Sequence, residues 1–211
     1  MNAFRFSLWM WCVAGVAWAG SPLPELRVGD TWEYAYLNRM TYAGPPVGMT
    51  NETRGRMVMK LLERVTTNGA TYFKGLTEYH GIFGIPPQEI HVRVDAQGYY
   101  TATEIRGDWV ESRALAFPAN AGSRWTYFDG EPGWRMIAAT ETIEHDGHRY
   151  EQCVRVERGF DDPEKARQFT QTEWYAPGVG LARYHFLQVL GPTRSETETI
   201  LTSFTPGKGG G

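Results

Sequence analysis

From Thr31 to Phe204 short runs rich in Val, Ile, Thr, Tyr and Trp alternate in polarity and are broken by Gly, Pro, Asn and Asp. A period of two is that of a strand with one face buried and one wetted. Helical periodicity is almost absent, so the pattern predicts an all-β chain. Its one candidate helix, Asp162 to Gln168, has an acidic cap and Pro163 in the first turn, and is one or two turns long at most. The sharpest reversals are Asn68-Gly69 and Asp146-Gly147, pairs that tolerate the positive φ required at both central positions of a type I′ hairpin. Further turns fall at Ala96-Gln97-Gly98 and at Pro177-Gly178-Val179-Gly180.

The two halves echo each other. Gly29-Asp30-Thr31-Trp32-Glu33-Tyr34 and Gly122-Ser123-Arg124-Trp125-Thr126-Tyr127 share the pattern Gly-x-x-Trp-x-Tyr, and each is followed by a long strand and a hairpin with Gly three residues before Tyr, at Gly69 to Tyr72 and Gly147 to Tyr150. We read residues 20–205 as a single β domain of two tandem units, about 24–115 and 116–205, followed by a flexible glycine-rich tail, 206–211. Neither unit can hide an apolar face alone. The expected architecture is therefore an antiparallel curved sheet (half-barrel) or a two-sheet sandwich sharing one core. Trp32, Tyr34 and Tyr36 share a face, as do Trp125 and Tyr127. Such rings either fill that core or line a concave surface that binds an apolar or sugar-like ligand. Trp32, Tyr34, Trp125, Tyr127, Trp174 and Tyr175 are the candidate ligand-binding residues.

The start of the chain is of another kind. Arg5 is followed by the apolar run Leu8 to Val16 and by Ala17-Trp18-Ala19, the three parts of a secretory leader, with cleavage expected after Ala19. That run is too short to span a bilayer and no second one follows, so no transmembrane anchor is expected. Export narrows the compartment to the periplasm or the exterior. Cleavage would leave Cys153 as the one cysteine, which excludes an internal disulfide. A net charge of −3 with both signs interspersed shows no basic face for nucleic acid.

Chemistry is sparse. His80, His91, His145, His148 and His185 do not cluster, and the pair across Asp146-Gly147 lacks a third ligand, so no metal is expected. A Gly-x-Ser-x-Gly elbow and a phosphate-binding glycine loop are both absent. The pairs Asp161-Asp162 and Glu196/Glu198 read as solvated, not as acid–base machinery. Neither a catalytic set nor a cofactor is predicted.

Two segments carry a resemblance: Val28-Gly29-Asp30-Thr31-Trp32-Glu33-Tyr34, and Glu173-Trp174-Tyr175-Ala176-Pro177-Gly178-Val179-Gly180-Leu181. They resemble uncharacterised exported bacterial β-rich proteins with a repeated Val-Gly-x-x-Trp-x-Tyr strand and a late Trp-Tyr-Ala-Pro-Gly-Val-Gly-Leu hairpin. Their strand pattern is similar to the half-barrels of periplasmic lipoprotein carriers, which implies a curved sheet with a hydrophobic groove. The expectation is a non-catalytic exported protein that binds a hydrophobic small molecule, a lipid or an envelope protein. The competing readings are a hydrolase or metal-dependent enzyme with dispersed Glu and His groups, and a structural or assembly subunit of the envelope.

Overall fold

Alternation and tight turns produce long antiparallel hairpins in the computed structural model, which describes residues 23–44, 48–82, 84–105, 107–118, 121–126 and 133–208. The expected leader and its cleavage point lie outside these residues, as does Tyr127. Asn68 and Gly69 have φ of 50° and 76°, and Asp146 and Gly147 have 46° and 82°. Both are the type I′ reversals that the pairs predict. Asp95 shapes a third turn, its Oδ1 accepting from the backbone N–H groups of Gln97 at 2.7 Å and Gly98 at 3.1 Å. The predicted short helix is one 3₁₀ turn, Pro163–Lys165, ended by Ala166 in the left-handed region at φ 47°.

The first half of the chain is a meander of β1 (Thr31–Tyr42), β2 (Met49–Thr67), β3 (Ala70–His80), β4 (Gln88–Asp95), β5 (Gly98–Ile105) and β6 (Asp108–Ala116). The second half is another: β7 (Arg124–Trp125), β8 (Trp134–His145), β9 (His148–Asp162), β10 (Arg167–Ala176), β11 (Gly180–Leu190) and β12 (Thr193–Thr205). They join where β1 pairs with β12, giving one antiparallel sheet in the order β6-β5-β4-β3-β2-β1-β12-β11-β10-β9-β8-β7. The sheet curls into a nearly closed half-barrel, and the sandwich alternative falls away.

Curvature is visible in contacts between strands far apart in that order. Tyr99 on β5 meets Tyr175 on β10, ring centroids 6.0 Å apart. At the two edges, the Trp125 indole N–H on β7 donates to the Arg113 carbonyl of β6 at 2.9 Å. Leu115, Trp125, Trp134, Val154, Val156 and Tyr175 form one buried cluster, and Trp32, Tyr34, Leu61, Val92 and Leu201 another. Burying a large side chain of this kind contributes about 1.5–3 kcal/mol, so these clusters favour the curled sheet over a flat one.

Two terminal segments close one end. Leu23 and Leu26 pack into these clusters, and the buried Asp30 carboxylate accepts from the backbone N–H of Arg27 and of Gly207, both at 2.7 Å. Gly207 belongs to the tail that the composition suggests is flexible, yet it is clamped. A Cβ on it would stand 2.2 Å from the Val28 carbonyl oxygen, so only glycine fits.

Candidate functional site

Strand periodicity divides the sheet into two chemically different faces. On the convex face ion pairs run from strand to strand, Arg56 with Glu33 at 3.2 Å, Arg39 with Glu52 at 3.0 Å and Arg183 Nε with Glu198 at 2.8 Å, and His185 hydrogen-bonds Glu196 at 2.8 Å. Also on this face, Arg93 grips both Glu111 oxygens at 2.7 Å and lies 3.7 Å over the Tyr100 ring. The Arg93 pair holds the Glu111 carboxyl below the usual carboxylate range.

The concave face is apolar and hydroxyl-rich. Its register rows are Tyr36, Thr199, Tyr184, Glu173 and Val156; then Asn38, Thr197, Phe186, Gln171 and Arg158; then Met40, Ser195, Gln188, Phe169 and Phe160; and finally Tyr42, Thr193, Leu190, Arg167 and Asp162, so that charge enters these rows at Glu173, Arg158, Arg167 and Asp162. The first two rows are half-buried or buried, and in the last two Met40, Phe160, Tyr42 and Leu190 are exposed while Phe169 stays buried. Five of the seven exposed large apolar side chains among the described residues, Met40, Tyr42, Met49, Phe160 and Leu190, stand in those last two rows. The rim of the open end therefore carries a cluster of exposed apolar side chains, with Arg167 and Asp162 beside them.

Inside the half-barrel lies a cavity of about 410 Å³. Met59, Val92, Tyr99, Tyr175 and Leu181 give it apolar walls, Thr101, Thr103 and Ser112 bring hydroxyls from β5 and β6, and Trp134 and Glu173 border it from β8 and β10. Its size falls in the range of small-molecule sites, about 300–1,000 Å³. Glu173 is its singular group, only 7% exposed. Gln171 Nε2 donates to its Oε1 at 2.7 Å, and the Tyr175 hydroxyl donates to Oε2. Burial raises the Glu173 pKa, against the lowering effect of those two donors and of the more distant Arg158 charge. The same burial pushes the Tyr34 and Tyr99 phenols up, with Glu173 adding to the shift.

The candidate aromatics separate. Trp32 and Tyr34 lie in the closed end, where the indole N–H donates to Val179 O at 2.7 Å and the phenol to Leu181 O at 3.2 Å. The two segments that carry the sequence resemblance thus bind each other, strand to hairpin turn. Both rings also border a second, smaller pocket of about 60 Å³ lined by Leu23 and Leu26, which shares Met59, Val92, Tyr99 and Leu181 with the main cavity. Tyr175 lines the main cavity, whereas Trp125 seals the barrel seam. Trp174, one residue from Tyr175, projects from the convex face, where its indole N–H donates to Glu141 at 2.8 Å and Arg183 lies 4.8 Å over its ring.

Glu173 was missed as a site residue although the pattern carries its signal. Phe169, Gln171, Glu173 and Tyr175 occupy alternate positions of one strand, so an acid shares a face with two aromatic rings. Cys153 is buried, with its thiol pushed up to about 11 by desolvation, which makes it a poor nucleophile. Among the described residues no three His, Cys, Asp or Glu side chains converge to hold a metal ion. No described helix is long and apolar enough to cross a membrane.

The class defined by this geometry is an all-β half-barrel with an interior cavity. Among solved structures the chain is similar to an inferred exported protein with a YmcC-like fold from Bacteroides fragilis, at 13% identity, covering 87% of this chain and 98% of that one with a TM-score of 0.50. An inferred lipoprotein from Parabacteroides distasonis matches over the same shares at 13% identity and a TM-score of 0.49. A DUF1329 family protein from Desulfovibrio piger aligns at 10% identity over 87% and 88% of the two chains, with a TM-score of 0.27. At these identities the Bacteroides fragilis structure speaks to fold alone. No protein-family model and no curated protein matches the chain.

Proposed function

We propose that this is a non-catalytic exported protein, working outside the cytoplasm, that holds a hydrophobic small molecule or lipid on its concave face. The observation that carries the reading is the cavity of about 410 Å³, lined by Met59, Val92, Tyr99 and Leu181, on the same face as the exposed apolar side chains at the open end. A sheet built only to be stable would fill such a space, because protein interiors pack at crystal-like density. Two further observations support it: the leader-like start of the sequence, and the likeness in fold to a protein inferred to be exported.

The enzyme reading has less support. The cavity holds one buried acid, Glu173, whose oxygens already accept from Gln171 and Tyr175, so its hydrogen bonds do not couple it to the serine and threonine hydroxyls of the lining. Native mass spectrometry of the protein purified from its own envelope tests the proposal. The expected spectrum shows an added small-molecule mass that is lost on collisional activation. Bare polypeptide, together with no uptake of added long-chain alcohol, would contradict it.

A further inference from the structure

A carboxyl group is expensive to bury, and buried charges are normally paired with a countercharge. Glu173 departs from that rule. Its two hydrogen-bond partners, the Gln171 amide and the Tyr175 phenol, are neutral. Arg158 on β9 reaches the neighbourhood, but its Nε and a terminal nitrogen donate to Gln171 Oε1 at 3.0 and 2.8 Å, which leaves the amide between guanidinium and carboxyl. Among the described residues the other titratable groups facing Glu173 are phenols: Tyr34 from β1, Tyr99 from β5, Tyr184 across the register on β11 and Tyr175 from its own strand. Glu89 and His91 border the cavity through β4, but their side chains belong to the convex face, where Glu89 pairs with Lys74 at 2.7 Å.

The cavity beside Glu173 thus offers hydroxyls, apolar walls and a single acid. We propose that it selects amphiphiles bearing a protonated amine, the ammonium seated on Glu173 and the apolar body against Met59, Val92 and Leu181. This rests on the reading of the cavity as a ligand site and adds the head group. The inference follows from charge balance. An anionic head would oppose ionisation of the carboxyl in a desolvated space, and a neutral head would leave it favouring its protonated form. An ammonium supplies the missing countercharge, and each carboxylate oxygen retains a lone pair for its N–H groups.

Calorimetric titration with decylamine, decanol and decanoate, which share one chain length, tests this on the wild type and on Glu173→Gln. The amine is expected to bind about tenfold more tightly than the alcohol, as a charge-assisted hydrogen bond would give. Decanoate is expected to bind most weakly. Glu173→Gln should bring amine and alcohol to equal affinity, and intact near-UV dichroism would show that the variant is folded. Lowering the pH through the raised pKa of Glu173 should erase the preference in the wild type as the carboxyl takes up its proton. Equal affinity for amine and alcohol in the wild type, or a preference that survives in Glu173→Gln, overturns the head-group inference alone. If none of the three binds, the cavity is not a ligand site and both proposals fall.

Discussion

The two ends of the concave face are built from the same strands with the same period, yet they differ in kind. At the closed end Trp32, Tyr34, Leu201 and Tyr175 are almost inaccessible, with Leu23 and Leu26 packed into the same clusters and Asp30 tied to Gly207. At the open end the same alternation delivers Met40, Tyr42, Phe160 and Leu190 to positions where water reaches them. β2 alone runs 19 residues, roughly 60 Å of extended chain. The packed end needs only part of that length. One stretch of the face thus supplies stability and the next remains available for binding, and the cavity with Glu173 lies between.

If this division is right, substitutions at the two ends should separate stability from binding. The largest effect is expected at Tyr34→Ala, which empties a site that is 1% exposed and should cost about 3–5 kcal/mol in chemical denaturation. Asp30→Ala removes the acceptor for two backbone N–H groups and should cost about 2–3 kcal/mol by the same measurement, the terminal clasp being lost with it.

Glu173→Gln sharpens the comparison at the boundary. Because burial raises the Glu173 pKa, the folded state keeps a proton that the unfolded chain has lost. Its stabilising contribution is therefore complete below the ordinary carboxylate pKa and disappears as pH rises through the raised value. The Gln variant should lack that fall and melt higher at neutral pH, by about 2–4 °C if it gains 1 kcal/mol. Glu111 and Glu196 are held below the usual range and act in the opposite sense, losing their contribution as pH drops further. The two windows are distinct in a pH series of melting curves.

Smaller changes are expected outside the core. On the convex face Arg183→Ala, which breaks the half-exposed pair with Glu198, should cost no more than about 1 kcal/mol. At the open rim Phe160→Ser should change stability by no more than about 0.5 kcal/mol while slowing the uptake of decanol in stopped-flow fluorescence. A large stability loss at Phe160 would show that the rim is core, and the contrast between the ends would collapse.

Much of the fold is legible in the sequence because its signals are local. Asn68-Gly69 and Asp146-Gly147 declare their turns, and alternation declares the strands. The pairing of β1 with β12, which joins residues more than 150 apart, has no local signature, so half-barrel and sandwich are both open until the sheet order is known. The aromatics show a different limit. Tyr34 and Phe160 look alike in pattern, and only the stagger of distant strands decides which is sealed and which reaches water. Trp174 and Tyr175 are nominated together, although adjacent strand residues must face opposite ways. Glu173 is overlooked because a lone acid in an alternating strand normally reads as solvated, and its burial comes from strands on the far side of the barrel.

The most direct test is to fill the cavity from within. Ser112→Phe places a ring in the cavity that Glu173 borders, from a position that already lines it. Measured by calorimetry, decanol affinity should fall at least about tenfold, the loss of little more than 1.4 kcal/mol of contact, while the melting temperature holds or rises as the void is filled. Unchanged decanol binding in a folded Ser112→Phe protein would place the ligand elsewhere and contradict the account.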